Sequence, residues 1–286
     1  MPNQQPGTLY VCATPIGNLE DITLRVLRVL AEADFVAAED TRHTLKLLTH
    51  FEIKKPLVSY HEHNKHVRGP ELLTRLLQGE SCALVSDAGL PGISDPGADM
   101  VRLCIDNAVP VTVCPGASAA LTAAVLSGLD NTRLAFDGFL PHGRHAKKER
   151  AARIESLRSE RRTIVLYESP HRIAQTLKEL LDALGDREAA AARELTKRYE
   201  EVKRGTLSTL LLHFTNNEPK GEFALIIAGE TGDMHAEPDW SELPIPAHVA
   251  QCMAQGLREM DAIKAVAKAR GLSKREVYAA VKITEE

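Results

Sequence analysis

The stretch that most constrains the fold is Val85–Gly97, VSDAGLPGISDPG. A short apolar run, Cys82 to Val85, stops at Ser86-Asp87. The segment from Asp87 to Gly97 then carries glycine at 89, 92 and 97 and proline at 91 and 96. An apolar segment with helical spacing follows, with Met100, Val101, Cys104 and Ile105 on one face. The pattern predicts a strand, a loop of unusual backbone and a helix. Glycine lets backbone approach a ligand where a Cβ would clash, and proline holds that backbone in one shape. Asp95-Pro96 suits a helix start, with Asp as N-cap and Pro at the first helical position. Gly92 and Gly97 have the glycine spacing of GxxxxGK[ST], but Ala98-Asp99 stand where Lys and a hydroxyl residue belong, so this is no phosphate loop. A preformed pocket at the carboxyl end of a strand is where open α/β sheets hold ligands.

The same alternation runs along the chain. Thr8–Ala13 is β-like and ends in Thr14-Pro15-Ile16-Gly17-Asn18. Thr23–Ala33 is helical, with Leu24, Leu27 and Leu30 on one stripe. A strand at Phe35–Ala38 stops at Glu39-Asp40 and leads into a helix over Thr41–Phe51. Leu57–Ser59 is strand-like, and Pro70–Leu77 is helical with Pro70 at its first position. Val109–Cys114 is a further strand, followed by Pro115-Gly116-Ala117-Ser118 and an alanine-rich helix to Leu126. The fold class is α/β with a largely parallel first sheet. GLDNT, 128–132, is a polar break. Beyond it come strands at Leu134–Phe139, Thr163–Tyr167, Ala189–Arg193, Tyr199–Lys203 and Phe223–Ala228, with helices near 146–159 and over Ile173–Leu184. The resulting division is 1–130, 131–231, and 232–286 as a linker and a helix-turn-helix-like module. In the module, Val249, Met253 and Leu257 form a stripe, Asp261 suits an N-cap, Gly271 ends a helix, and Ser273 with Glu276 makes a capping box.

Thr14–Asn18, Asp87–Gly97 and Pro115–Ser118 all follow strands. If those strands are parallel, the loops line one cleft, offering backbone N–H groups, hydroxyls and the carboxylates of Asp87 and Asp95. That suits a ligand with cationic and polar groups better than a bare phosphate. Asp40 fits both a helix cap and a catalytic carboxylate. His61-Glu62-His63-Asn64-Lys65-His66 is not HExxH, because Lys65 stands where the second His belongs, and no metal site is expected. Tyr167-Glu168-Ser169-Pro170-His171-Arg172 and Arg193-Glu194-Leu195-Thr196-Lys197 each end a strand and can close the cleft from the opposite side.

Net charge is −4, so any nucleic-acid contact must come from local basic patches. Two runs qualify. His142–Arg162 holds Arg144, Lys147, Lys148, Arg150, Arg153, Arg158, Arg161 and Arg162 against three glutamates. The module offers a basic face of Lys264, Lys268, Arg270, Lys274, Arg275 and Lys282. Such runs point to an anionic polymer. Five cysteines without a CxxC pair favour a reducing compartment, and the N-terminus lacks an apolar signal core, so a cytoplasmic protein is expected.

TPIGNLED (14–21), AAEDTRHT (37–44), VSDAGLPGISDPG (85–97), PGASA (115–119), YESPHR (167–172) and RELTK (193–197) resemble the tetrapyrrole-methylase superfamily. Within it they are similar to the branch that methylates a cytidine 2′-oxygen of small-subunit (16S) ribosomal RNA. The resemblance runs over about residues 8–230. It implies two α/β domains with S-adenosylmethionine in the cleft between them, a homodimer, and a small C-terminal helical module. By motif position it gives cofactor contacts to Pro15, Asp87, Ala88, Gly89, Pro91, Ser94, Asp95, Gly116, Ala117 and Ser118. Leu90 stands where the family often has Thr. Asp40, Glu168, His171 and Lys197 are the candidates for removing the 2′-hydroxyl proton. Arg42, His43, Lys147, Lys148, Arg150, Arg172, Lys274 and Arg275 are the candidate RNA contacts. A tetrapyrrole ring methyltransferase and a non-catalytic nucleic-acid binder are the alternatives.

Overall fold

The computed structural model describes residues 5–143, 145–217, 220–230, 243–254 and 257–282. Arg144, Gly256 and most of the expected linker lie outside the described residues. The chain divides into two compact units, Met1–Glu230 and Thr231–Glu286.

The first sheet comprises β1 (Leu9–Cys12), β2 (Phe35–Ala38), β3 (Leu57–Ser59), β4 (Cys82–Val85) and β5 (Val111–Cys114). All are parallel, in the order β3-β2-β4-β1-β5. Short apolar runs buried on both faces are what a covered parallel sheet needs. Helices α1 (Leu24–Glu32) and α2 (Thr41–His50) cover one face, and α3 (Lys65–Leu77) and α4 (Gly97–Asp106) the other. The helix after β1 and the helix after its neighbour β4 therefore lie on opposite faces. That is a topological switch point, where the crevice outside the strand ends opens.

Several local expectations shift. Thr23 caps α1 through its hydroxyl, but the inward stripe is Val26, Val29 and Leu30, with Leu24 86% exposed. Both stripes satisfy helical spacing, and only the sheet chooses between them. Helix α3 starts at Lys65, so Pro70 lies inside it. Asn64 builds that early start: its Oδ1 accepts from His61 N at 2.8 Å and its Nδ2 donates to the Ser59 carbonyl at 3.2 Å. In α4, Met100 and Cys104 are buried but Ile105 is exposed.

The second sheet comprises β6 (Leu134–Phe139), β7 (Thr163–Glu168), β8 (Glu188–Arg193), β9 (Glu201–Thr206) and β10 (Phe223–Ile227), in the order β6-β7-β10-β8-β9. Only β6 and β7 run parallel; the other pairs are antiparallel. The strand expected at 199–203 begins at Glu201, and Tyr199 is exposed before it. Helices α6 (Lys147–Ser156), α7 (Ile173–Leu184) and α8 (Leu207–Asn216) pack on one face. Helix α5 (Ala119–Ser127) packs on the other, Ala120, Ala123 and Ala124 lying close against Ala190, Ala192 and Ala224. So α5 follows β5 of the first sheet but belongs to the core of the second, and a division at residue 130 follows the strands rather than the packing.

In the C-terminal unit, α9 (Ile245–Ala254), α10 (Glu259–Arg270) and α11 (Lys274–Lys282) bury Val249, Ala262, Ile263, Val266, Ala267 and Val277. Met253 and Leu257 are exposed; the inward row is Ile245, Val249 and Cys252. Asp261 lies inside α10 and pairs with Lys264 at 2.9 Å instead of capping the helix. Arg270 also departs from the expected basic face: its Nε donates to His248 Nδ1 at 3.1 Å and an Nη to the Leu243 carbonyl at 2.7 Å. The Ser273–Glu276 capping box forms reciprocally, at 2.7 and 3.3 Å.

Candidate active site

The three strand-end loops of the first sheet meet at the β1/β4 switch point. Thr14 and Gly89 form an antiparallel bridge, with Thr14 N donating to the Gly89 carbonyl at 2.8 Å and Gly89 N to the Thr14 carbonyl at 3.1 Å. Thr14 Oγ1 donates to the Ser86 carbonyl at 3.2 Å. Gly89 has φ +78°, which L side chains rarely adopt, and its Cα faces Ile16 and the Ala117 carbonyl. A Cβ on Gly116 would lie 2.9 Å from the Ala13 Cβ, which ties the third loop to the first. Pro15, Ala88, Gly89, Gly116 and Ala117 thus lie on loops in mutual contact. Ser118 caps α5 by accepting from Leu121 N.

The rest of the glycine-rich loop is held from within. Asp95 Oδ1 accepts from Gly92 N at 2.8 Å and Gly97 N at 2.7 Å, which staples Pro91–Gly97 into one shape. Its sequence role as a cap survives in substance, although α4 starts at Gly97 with Pro96 as the N-cap residue. Ser94 is exposed at φ +64°, a strained conformation for a residue with a side chain. Asp87 is exposed, and its Oδ1 accepts from Asp40 N at 3.0 Å, joining the β4 loop to the β2 loop. Burial, then the charges of Asp87 and Asp95, push the Glu39 carboxyl above its ordinary range. Burial likewise raises Asp95. Glu39 was not among the expected contacts; its signal was its place in AAEDTRHT directly after a strand. Three carboxylates crowded here favour a cationic guest.

The second sheet supplies the opposite wall. The 193–197 turn touches the β1 loop: Asn18 N donates to Thr196 Oγ1 at 3.0 Å, and a Cβ on Gly17 would lie 2.5 Å from Lys197 Cγ. Glu194 and Thr196 both have positive φ, +50° and +64°. Lys197 pairs with Glu194 at 3.0 Å. Gly138 of β6 comes so near the glycine-rich loop that a Cβ there would lie 2.9 Å from Ser94 Oγ.

The structure separates the four proton-acceptor candidates. Asp40 caps α2, and Arg42 binds both its oxygens, at 3.1 and 2.8 Å. The hydrogen bond to Arg42 holds the Asp40 carboxyl far below the usual carboxylate range, which makes it a weak base. Glu168 is 1% exposed. Along β7, Tyr167 faces α5, so strand alternation turns Glu168 to the other face. There Oε1 accepts from Ser169 N at 2.7 Å and Arg172 Nη at 2.8 Å, and Oε2 from Thr176 Oγ1 at 2.7 Å. Glu168 is a buried structural carboxylate, and Arg172 is committed to it. His171 is exposed. Lys197, from the second sheet, lies against the β1 loop of the first.

Among the expected RNA contacts, Arg42, His43, Lys147, Lys148, Lys274 and Arg275 are exposed. Arg150 is not. It is buried, donating through Nε to Glu179 at 2.6 Å and through an Nη to Thr176 at 2.7 Å. Its place four residues before Ile154 and seven before Leu157 put it on the inward face of α6. No group of three His, Cys, Asp or Glu suited to a metal occurs among the described residues. Burial raises the Cys82 thiol to about 12 and that of Cys104 to about 11, so both stay protonated packing groups.

The chain belongs to the tetrapyrrole (corrin/porphyrin) methylases, whose family profile matches residues 8–211. It is a methyltransferase. Curated relatives named ribosomal RNA small subunit methyltransferase I are similar to it over nearly its whole length. That of Halalkalibacterium halodurans is 48% identical over 95% of this chain and 93% of its own. That of Bacillus subtilis is 45% identical over 98% of this chain and 95% of its own. Solved structures share the fold at lower identity. Uroporphyrin-III-C-methyltransferase from Thermus thermophilus has a TM-score of 0.56 at 21% identity, covering 78% of this chain and 94% of that one. Diphthine synthase has 0.62 at 19%, covering 79% and 91%.

Proposed function

We propose that this chain transfers a methyl group from S-adenosylmethionine to the 2′-oxygen of a cytidine in small-subunit ribosomal RNA. The observation that carries the reading is the meeting of three strand-end loops at the β1/β4 switch point, beside the carboxylates Glu39, Asp87 and Asp95. The RNA comes from the relatives' name and their identity of 45–48%. The residues fit such a donor: Gly89 turns the second loop at a positive φ, Gly116 packs the third loop against Ala13 beside the first, and the acids stand ready for cationic groups. Pro15, Asp87, Ala88, Gly89, Pro91, Ser94, Asp95, Gly116, Ala117 and Ser118 would hold it. When bound, it supplies a methyl carbon already activated by a sulfonium.

The chain's task is then to align the ribose and to manage one proton. Alignment supplies much of the rate when the electrophile comes pre-activated. Lys197, in contact with the β1 loop, offers an ammonium that steadies charge growing on the 2′-oxygen. Lys147 and Lys148 on α6, Arg42 and His43 on α2, and Lys274 and Arg275 on α11 provide phosphate contacts. A homodimer completes the proposal, supported by the exposed apolar side chains Ile105 and Val113 near edge strand β5. The reaction would then take place in the cytoplasm, alongside the small-subunit RNA it acts on. The test is incubation with methyl-labelled S-adenosylmethionine and, separately, naked small-subunit RNA, assembled small subunits and a tetrapyrrole. Label in RNA supports the reading; label only in the tetrapyrrole, or donor binding without transfer, overturns it.

A further inference from the structure

The chain is poor in aromatic residues, 4% in all. Of its six phenylalanines, Phe136 and Phe139 are the two left largely exposed, at 41% and 46%. They lie on one strand three residues apart, a spacing that regular alternation sends to opposite faces. A bulge between Phe136 and Gly138 reverses this. Phe136 pairs with Val165 and Phe139 with Tyr167, two residues on the same face of β7. Both rings therefore stand on the α5 side and pack on the Tyr167 ring, at 5.2 and 5.4 Å between centroids.

The bulge is a built feature. Gly138 supplies φ +65°, and the extra residue, Asp137, is gripped by Arg153 of α6 at 2.8 Å through Nε. Tyr167 is fixed too, its hydroxyl accepting from Ala120 N at 3.1 Å, in the first turn of the helix that follows Pro115–Ser118. On the other side, Gly138 touches Ser94 of the glycine-rich loop. The rings thus stand between two of the loops assigned above to the methyl donor.

We infer that Phe136 and Phe139 are the stacking platform for the base of the target nucleotide. The inference rests on the proposed RNA reaction. A ribose brought to a recessed donor comes on a nucleotide drawn from its stack, and its bared base needs a π-face to replace the lost neighbours. Ring faces held rigid beside the donor loops provide that. They also tolerate any base, so they position rather than select.

The test uses the full chain carrying Phe136→Leu and Phe139→Leu together, which keeps apolar bulk and removes the flat faces. Phe136→Tyr with Phe139→Tyr restores the faces. With donor saturating and assembled small subunits as substrate, KM for the RNA partner rises about tenfold in the Leu variant and returns towards wild type in the Tyr variant. Donor affinity by calorimetry stays within about twofold, and Tm stays close to wild type. A target-sequence oligonucleotide with pyrrolocytidine at the methylated position is quenched on binding by wild type but not by the Leu variant, and this readout needs no catalysis. Unchanged KM and quenching in the Leu variant overturn the platform. So does a loss of donor affinity that matches the loss of activity, because the rings then hold the donor's adenine. A change in oligomeric state by light scattering, with KM unchanged, gives the rings to a second copy and also overturns it. If wild type itself methylates no RNA, the underlying reading fails, and the platform falls with it.

Discussion

Gly89 is the position where one substitution most cleanly separates backbone shape from contact. Its φ of +78° costs a residue with a Cβ about 1–3 kcal/mol, most for a β-branched one. Escape by rotating the peptide is blocked, because both the N–H and the carbonyl of Gly89 are bonded to Thr14, at 3.1 and 2.8 Å. Losing those two bonds would cost about 1 kcal/mol each. The cost of Gly89→Val therefore falls near 2 kcal/mol by either route. Space is not the obstacle at the first atom: a Cβ would lie 3.4 Å from Ile16 and 3.5 Å from the Ala117 carbonyl, ordinary contacts. Gly89→Asn, which tolerates positive φ, should cost less than Val. For a body of this size Tm drops about 2–4 °C per kcal/mol, so Val lowers it by about 4–8 °C and the fold persists. Donor affinity by calorimetry falls at least about tenfold, as a loss of 1.4 kcal/mol requires. A Val variant with wild-type Tm and wild-type donor affinity would show that neither the fold nor the donor needs the positive φ of Gly89.

Glu168→Ala removes the partner of Arg172 and Thr176 inside the core and should cost about 3–5 kcal/mol in denaturant unfolding. At a temperature where it stays folded, methyl transfer per folded molecule should be near wild type, and a selective loss of kcat would return Glu168 to catalysis. Lys147→Ala with Lys148→Ala should flatten the salt dependence of RNA binding by about one to two units of slope at unchanged stability, whereas Arg150→Ala should lower Tm instead. An Arg150→Ala protein of normal Tm would contradict its structural placement. Burial, then the charges of Asp87 and Asp95, raise the Glu39 carboxyl, so as pH falls into the acid range it takes up a proton before an ordinary glutamate does, and a cationic donor binding beside it expels that proton. Donor affinity should then fall as pH drops through that range, with a buffer-dependent binding enthalpy that Glu39→Gln abolishes. Deleting residues 232–286 should leave donor affinity unchanged and raise KM for RNA, since every assigned donor contact precedes Gly229.

Much of this was legible because loops announce themselves locally. The glycines and prolines of 85–97 and the apolar runs before Thr14, Glu39 and Ser86 define strand ends without tertiary information. Helix α7 falls where its periodicity puts it, over Ile173–Leu184. What was not legible depends on neighbours. Leu24-Leu27-Leu30 and Val26-Val29-Leu30 are equally periodic, and only packing picks one. The antiparallel pairing of β10 and β8 is set by the sheet, not by either strand. Glu168 reads as a strand-end carboxylate until Tyr167 is known to face α5. Arg150 hides in a basic run, although its spacing to Ile154 and Leu157 marked it. The shared face of Phe136 and Phe139 needed the bulge, which Gly138 signalled only faintly.

A 2′-O-methyl group protects the adjoining phosphodiester from alkali. Small subunits lacking the modification, treated with this chain and S-adenosylmethionine, should yield RNA with one new alkali-resistant step, at a cytidine. Mass spectrometry of the dinucleotide from that step should place the added methyl on the sugar. A methyl found on the base, or RNA that gains no resistant step while label passes to another acceptor, rules out ribose 2′-O-methylation by this chain.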